Sequence, residues 1–219
     1  MLQDIITLEE KLNPRHTAVL VVDVQNDFCH PDGFFALAGV TGFSDISMVP
    51  AMKRNLYSLI DSARRSGVML VFIRAIYDPI YVSAPFAERL REIGSYGKAC
   101  LDGTWGADYY EDIRPVGAPC EIEVVKHRFS AFQGTDLDLI LRSNEVKTLV
   151  MTGVVTSGCV DSTAREGFFR DYYIILAGDC VADWDADNHQ AALRKFQRTF
   201  GYIVPASEIV KIWTGTTAK

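Results

Sequence analysis

Strand-length runs of almost wholly apolar residues, each followed by a stretch with helical spacing, constrain this chain more than any other feature. The first is Thr17-Ala-Val-Leu-Val-Val-Asp23. A strand apolar on both sides must be covered on both faces, as in a parallel sheet between two layers of helices. A helix follows over about Val49 to Ser66, with Leu56, Leu59, Ile60 and Ala63 on one face. Gly67 ends it before a second strand, Val68 to Ile73, giving a right-handed βαβ unit. Further strands are expected at Glu121 to Lys126, Val146 to Thr152, Tyr172 to Ala177 and Tyr202 to Val204. Helices are expected from Thr135, after Cys159, over Asp185 to Phe200 and over Ser207 to Trp213. Six strands alternating with helices predict a three-layer α/β/α fold with a mainly parallel sheet.

The length of 219 residues suits a single domain, with residues 1–15 as an N-terminal arm. A net charge of -6 argues against nucleic acid or anionic membrane as partner and favours a small molecule. The N-terminus lacks an uninterrupted apolar stretch and no segment has the length of a membrane span, so a cytoplasmic location is expected. Residues 76 to 120 read as a long irregular segment with a short helix near Phe86 to Ile93, either an ordered lid or subunit contact or a loop simply packed on the surface. The five cysteines, Cys29, Cys100, Cys120, Cys159 and Cys180, are odd in number and form no Cys-x-x-Cys pair, so neither a disulfide framework nor a thiolate zinc site is expected.

In open parallel sheets, sites form beyond the carboxyl ends of the strands, where strand order reverses. Asp23 ends the first strand, Lys126 ends the third, and Cys159 follows the fourth at the start of a helix. The positive helix end favours a thiolate there, but by only about 0.3 to 1 kcal/mol. Lowering a thiol pKa from about 8.5 to 7 requires about 2 kcal/mol. A cation or a base must therefore assist, and Lys126 and Asp23 are the residues placed to do so.

The chain resembles the isochorismatase-like family of cysteine hydrolases from about His16 to Trp213. The likeness is carried by Val21-Val-Asp-Val-Gln-Asn-Asp-Phe28, Lys126-His-Arg-Phe-Ser-Ala-Phe-Gln-Gly-Thr-Asp-Leu137 and Thr152-Gly-Val-Val-Thr-Ser-Gly-Cys-Val-Asp-Ser-Thr-Ala-Arg165. The resemblance implies a Rossmann-like six-stranded sheet, a catalytic triad of Asp23, Lys126 and Cys159, and a non-proline cis peptide at Val154-Val155 or Val155-Thr156. It also implies homo-oligomers, dimers or tetramers. In the implied chemistry Cys159 attacks a C–N carbonyl, Asp23 moves the proton to the leaving amine, and the backbone N–H groups of Val155 and Cys159 hold the oxyanion.

Metal-dependent nicotinamidases carry an Asp-x-His element after the second strand, where this chain has Arg74-Ala-Ile-Tyr-Asp78 and no histidine. No metal and no cofactor is therefore expected. Siderophore-pathway isochorismatases lack the cysteine, so Cys159 points to amides, ureides or carbamoyl compounds. Thr104-Trp105-Gly106 and Gly167-Phe-Phe-Arg-Asp-Tyr172 look most like the ureidoacrylate and N-carbamoylsarcosine amidohydrolase branch. Phe129 stands where biuret hydrolase has a second lysine and ureidoacrylate amidohydrolase a tyrosine. Candidate pocket walls are Phe28, Trp105, Phe129 and Phe132. Gln25, Asn26, Thr156 and Gln197 are candidate polar orienters, and Arg74 and Arg128 candidate partners for a substrate carboxylate. Nicotinamidase-like or isochorismatase-like hydrolysis of another small substrate remains an alternative, as does a non-catalytic or redox-sensing homologue.

Overall fold

A computed structural model describes residues 5–39 and 43–215. The first four residues of the expected N-terminal arm and the last four of the expected single domain lie outside the described residues. The strands are β1 (Thr17–Val22), β2 (Met69–Ala75), β3 (Glu121–Lys126), β4 (Thr148–Val154), β5 (Tyr173–Ala182) and β6 (Tyr202–Val204). They form one sheet in the order β3–β2–β1–β4–β5–β6, with every pairing parallel.

The helices are α1 (Leu8–Lys11), α2 (Asn26–Cys29), α3 (Phe34–Ala38), α4 (Val49–Ser66), α5 (Ala84–Glu92), α6 (Leu137–Ser143), α7 (Asp161–Phe169), α8 (Ala186–Thr199) and α9 (Ala206–Thr214). Strand residues divide by alternation between two cores. Val19, Val21, Leu70, Phe72 and Ile175 pack with α4 and α9, whereas Leu20, Val22, Ile73, Met151 and Leu176 pack with α6, α7 and α8. Helix α4 ends as its sequence dictates. Gly67 takes φ +69 and returns its N–H toward Ala63 O and Arg64 O, a left-handed cap that costs glycine no Cβ clash.

Two features were not anticipated. The short α1 carries a capping box in which Thr7 accepts from the Glu10 N–H and Glu10 reaches back to Thr7. Strand β5 continues past Ala177 through Gly178-Asp179-Cys180 to Ala182. A register shift against β4 between Met151 and Gly153 accommodates the extra length. Asp179 accepts the Ala206 N–H at 2.7 Å, which ties the polar stretch to the start of α9.

The segment over 76 to 120 is ordered against the carboxyl end of the chain's own sheet. Tyr77 N–H bonds Cys100 O at 2.8 Å, Asn26 N–H bonds Asp108 O at 3.0 Å, and Tyr110 N–H bonds Val24 O at 2.9 Å. Asp27 accepts from Phe34 N–H at 3.1 Å and from Cys100 N–H at 2.7 Å. Gly106 is required beside it, since a Cβ there would lie 2.3 Å from the Asp27 carboxylate. No described helix is long and apolar enough to cross a membrane.

Candidate active site

The sheet order places β1 between β2 and β4, so the chain reverses direction across the sheet between these strands, and their carboxyl ends open a crevice. Register decides what stands there. Val22 pairs with Ile73 and with Gly153, and Ala75 pairs with Lys126, which sets Asp23 and Lys126 on either side of the end of β2, one register step apart, so that their side chains meet across it. Asp23 turns out of β1 at φ +53. Gly153 permits the close approach of β4, because a Cβ at its φ of +100 would sit 2.0 Å from Val22 O. The Val154–Val155 peptide is cis. Thr156–Val160 then form one wide π turn that runs into α7 and carries Cys159. Thr163 pins this turn, accepting from Ala131 N–H at 3.0 Å and donating to Cys159 O at 2.7 Å.

Lys126 is the hub. Its Nζ lies 2.8 Å from Asp23 Oδ2, 3.3 Å from Cys159 Sγ and 2.9 Å from Arg128 O. Tyr77 OH is 3.5 Å from the same Nζ and 3.9 Å from Sγ. Asp23 and Lys126 are 0% exposed and Cys159 is 5% exposed. Apart from the ion pair, neither Asp23 oxygen has a hydrogen-bond partner among the described residues, leaving an acceptor beside the thiol.

Burial sets the proton inventory. It raises the Asp23 carboxyl above the ordinary 3.8, with the Lys126 charge opposing it. The Cys159 thiol is pushed up to about 12 by the same burial, against the pull of Lys126. Lys126 is raised despite burial by the charges of Asp23 and Cys159, and burial holds the Tyr77 phenol well above its usual range. The resting cysteine is thus a thiol. The preference for thiolate expected from the helix end is overridden by desolvation, and the sulfur needs a base at the moment of attack.

Cys159 opens onto a cavity of about 460 Å³. Of the residues anticipated as walls, Phe28 and Phe129 line it, and so do Val155 and Cys159, the two expected oxyanion donors. The others lie elsewhere for definite reasons. Gln25 is buried and spends its amide on Ala75 N–H, Ala75 O and Ala107 O. Asn26 donates to Trp105 O at 2.8 Å, and both residues line a separate cavity of about 480 Å³. Phe132 packs in the core beside Tyr172. Thr156 is buried against His189 Nδ1 at 2.9 Å, and Gln197 belongs to a surface cleft with Phe168 and Phe200. Arg74 is paired with Glu123, and Arg128 donates to Tyr81 O and His127 O. Arg165 forms the i,i+4 ion pair with Asp161 expected of a structural arginine.

The remaining walls were missed. Phe28, Phe35 and Trp184 stack, with centroids 4.4 Å apart for Phe35 and Trp184, and Phe43 tilts against Trp184 at 5.8 Å. Trp184 Nε1 donates to Phe28 O at 3.3 Å. Asp183 accepts from Ser157 N–H at 2.7 Å and from Trp184 N–H at 2.8 Å, bracing the cysteine turn against the end of β5. The strand-end rule that found Asp23 and Lys126 would have found Asp183 had β5 been read to its full length. Tyr77, two residues beyond β2, was within reach of the same rule. All five cysteines are free thiols. Among the described residues, no three His, Cys, Asp or Glu side chains are gathered as a metal site.

A family model described as isochorismatase domain matches residues 17–208. The ureidoacrylate amidohydrolase RutB of Pantoea ananatis (strain LMG 20103) is 31% identical over 207 residues, covering 89% of this chain and 80% of that protein. A cysteine hydrolase from Pseudomonas syringae pv. phaseolicola 1448A shares the fold at a TM-score of 0.80, with 24% identity, 99% of this chain and 100% of that one covered. An N-carbamoylsarcosine amidase from Thermoplasma acidophilum superposes at a TM-score of 0.69 with 27% identity, covering 87% of this chain and 96% of that one.

Proposed function

The chain belongs to the isochorismatase family of cysteine hydrolases, and on that premise we propose that it is a metal-independent amidohydrolase that cleaves the C–N bond of a small amide, ureido or carbamoyl compound. The observation that carries this reading is the buried trio, with Lys126 Nζ 2.8 Å from Asp23 and 3.3 Å from the sulfur in the wall of a cavity. Cys159 attacks the carbonyl carbon as Asp23 accepts the thiol proton. Lys126 balances the carboxylate before transfer and the developing sulfur charge after it. Val155 and Cys159 N–H groups receive the oxyanion. Collapse of the tetrahedral adduct returns the proton from Asp23 to the departing nitrogen, releasing ammonia or a small amine and leaving a thioester. Water, deprotonated by Asp23, hydrolyses it.

The test is ammonia release across nicotinamide, ureidoacrylate, N-carbamoylsarcosine, maleamate and biuret, with and without a chelator. Turnover of at least one compound, unchanged by the chelator, is expected. Loss of activity on chelation with recovery on adding zinc would refute the metal-independent reading, and no ammonia from any compound would count against hydrolysis itself.

The pH profile should follow Asp23. Attack needs its ionised form, so kcat/KM should fall as the medium becomes acidic, with a midpoint above the ordinary 3.8 because burial raises this group. With the thiol pushed up to about 12, no gain from thiolate formation should appear between neutrality and pH about 9. A rise through that range, matched by the rate of iodoacetamide alkylation, would show instead that a preformed thiolate is the nucleophile.

A further inference from the structure

The walls of the Cys159 cavity carry a chemical signature that the hydrolase reading does not use. The cavity is lined by the aromatic group Phe28, Phe35, Phe43 and Trp184, by Tyr77 and Phe129, and by Leu90 and Ile93 from the end of α5. The volume of about 460 Å³ falls within the roughly 300 to 1,000 Å³ of small-ligand sites. It exceeds what a bare carboxamide group would occupy.

The charged groups facing this space are few. Arg89 is the one guanidinium or ammonium on the described wall, and its side chain is 66% exposed and held by Glu92. Asp183 is the one carboxylate, 5% exposed, with its two oxygens already accepting Ser157 and Trp184 N–H groups. Lys126 is spent on Asp23, Arg128 O and the sulfur. Arg74 and Arg128 are engaged away from the cavity. A carboxylate carried on the acyl side of a substrate would be desolvated near Asp183 without a buried cation to meet it, which is strongly unfavourable. An ammonium would have Asp183 as its one partner on the described wall, a carboxylate whose two oxygens already accept the backbone N–H groups that brace the cysteine turn.

We propose that the acyl group accepted by this site is uncharged and apolar, an aryl or branched alkyl body attached to the scissile carboxamide and packed against the wall formed by Phe28, Phe35 and Trp184. This rests on the hydrolase reading for the same site and narrows it by substrate class. The apolar body would lie against the aromatic wall, making offset or edge-on contacts with the ring surfaces that face the cavity, while the amide carbonyl points to Val155 and Cys159. The reaction is plain hydrolysis. The C–N bond breaks, a C–S bond forms and is then replaced by C–O from water, and the amine leaves with the proton held by Asp23.

The test compares three amides built on one phenylacetamide frame on the intact protein: phenylacetamide, 4-carboxyphenylacetamide and 4-(aminomethyl)phenylacetamide. The neutral amide should exceed both charged ones in kcat/KM by at least about 100-fold, the scale set by an unpaired buried charge. Equal or better turnover of either charged amide overturns the proposal. So does failure to turn over phenylacetamide while ureidoacrylate is hydrolysed, an outcome that leaves the hydrolase reading intact. Calorimetric binding of the same three amides to Cys159→Ala separates the remaining case. A neutral-over-charged affinity ranking without turnover by the wild type would refute the hydrolase reading alone, and tighter binding of a charged amide would refute the pocket chemistry.

Discussion

Cys159→Ala is expected to abolish amide hydrolysis, lowering kcat by at least about 10⁴-fold, as removal of a catalytic nucleophile does elsewhere. That corresponds to about 5 kcal/mol of transition-state stabilisation. The fold should survive. The substitution removes one sulfur from a site that already borders a cavity, so the stability cost should be about 1 kcal/mol, and the Asp23 to Lys126 ion pair at 2.8 Å remains in place. Cys159→Ser keeps the shape but offers a hydroxyl, less acidic and less nucleophilic than the thiol, and should be nearly as inactive. Rapid quench of the wild type followed by intact-mass measurement should reveal the acyl group on Cys159 and none on the serine variant at comparable times. Alanine variant activity within tenfold of wild type would sink the covalent mechanism, pointing to direct water attack assisted by Asp23.

What the sequence made legible was periodic and local. The apolar runs located the strands, and Gly67 marked the end of α4 because a left-handed residue there leaves little choice. Asp23, Lys126 and Cys159 were visible because each follows a strand, and neighbouring strand ends in a parallel sheet share one edge. The cavity wall was less legible because it is assembled by tertiary placement. Gln25 looks like a substrate orienter on its loop, yet its amide is consumed tying the ends of β1 and β2 to the turn at Ala107. Arg74 has the right chemistry for a carboxylate, but its strand neighbour Glu123 takes it first. Asp183 and Trp184 escaped because Gly178-Asp179-Cys180 breaks the apolar pattern of β5, while the bulge against β4 lets the strand continue. The weakness of the helix end was legible, since its contribution falls short of ionising a thiol, but the burial that pushes the Cys159 thiol up further was not, because it is set by tertiary packing.

Lys126→Met should be the most damaging single substitution to stability among the three central residues. It leaves Asp23 0% exposed and without its cation. An uncompensated buried charge of this kind costs about 3 to 5 kcal/mol. For a chain of this size the melting temperature should drop by about 10 °C. Asp23 can escape by taking a proton, so the loss should depend on pH. Its carboxyl is raised in the folded state by burial, and without Lys126 it would be raised further. Between the unfolded and folded pKa values the native state then binds more protons than the unfolded one, so the variant loses stability as pH rises through that window and recovers it on acidification. Adding Asp23→Asn removes the stranded charge in a side chain of nearly the same shape, and the double variant should regain most of the lost stability. Activity should not return with it, because neither the base nor the balancing cation is present. The pair of outcomes separates packing from chemistry through a coupling energy measured by chemical denaturation of the two single variants, the double variant and the wild type. Stability losses that simply add in the double variant would mean that the 2.8 Å contact contributes little to folding, whereas a double variant that recovers activity along with stability would remove Asp23 and Lys126 from the reaction.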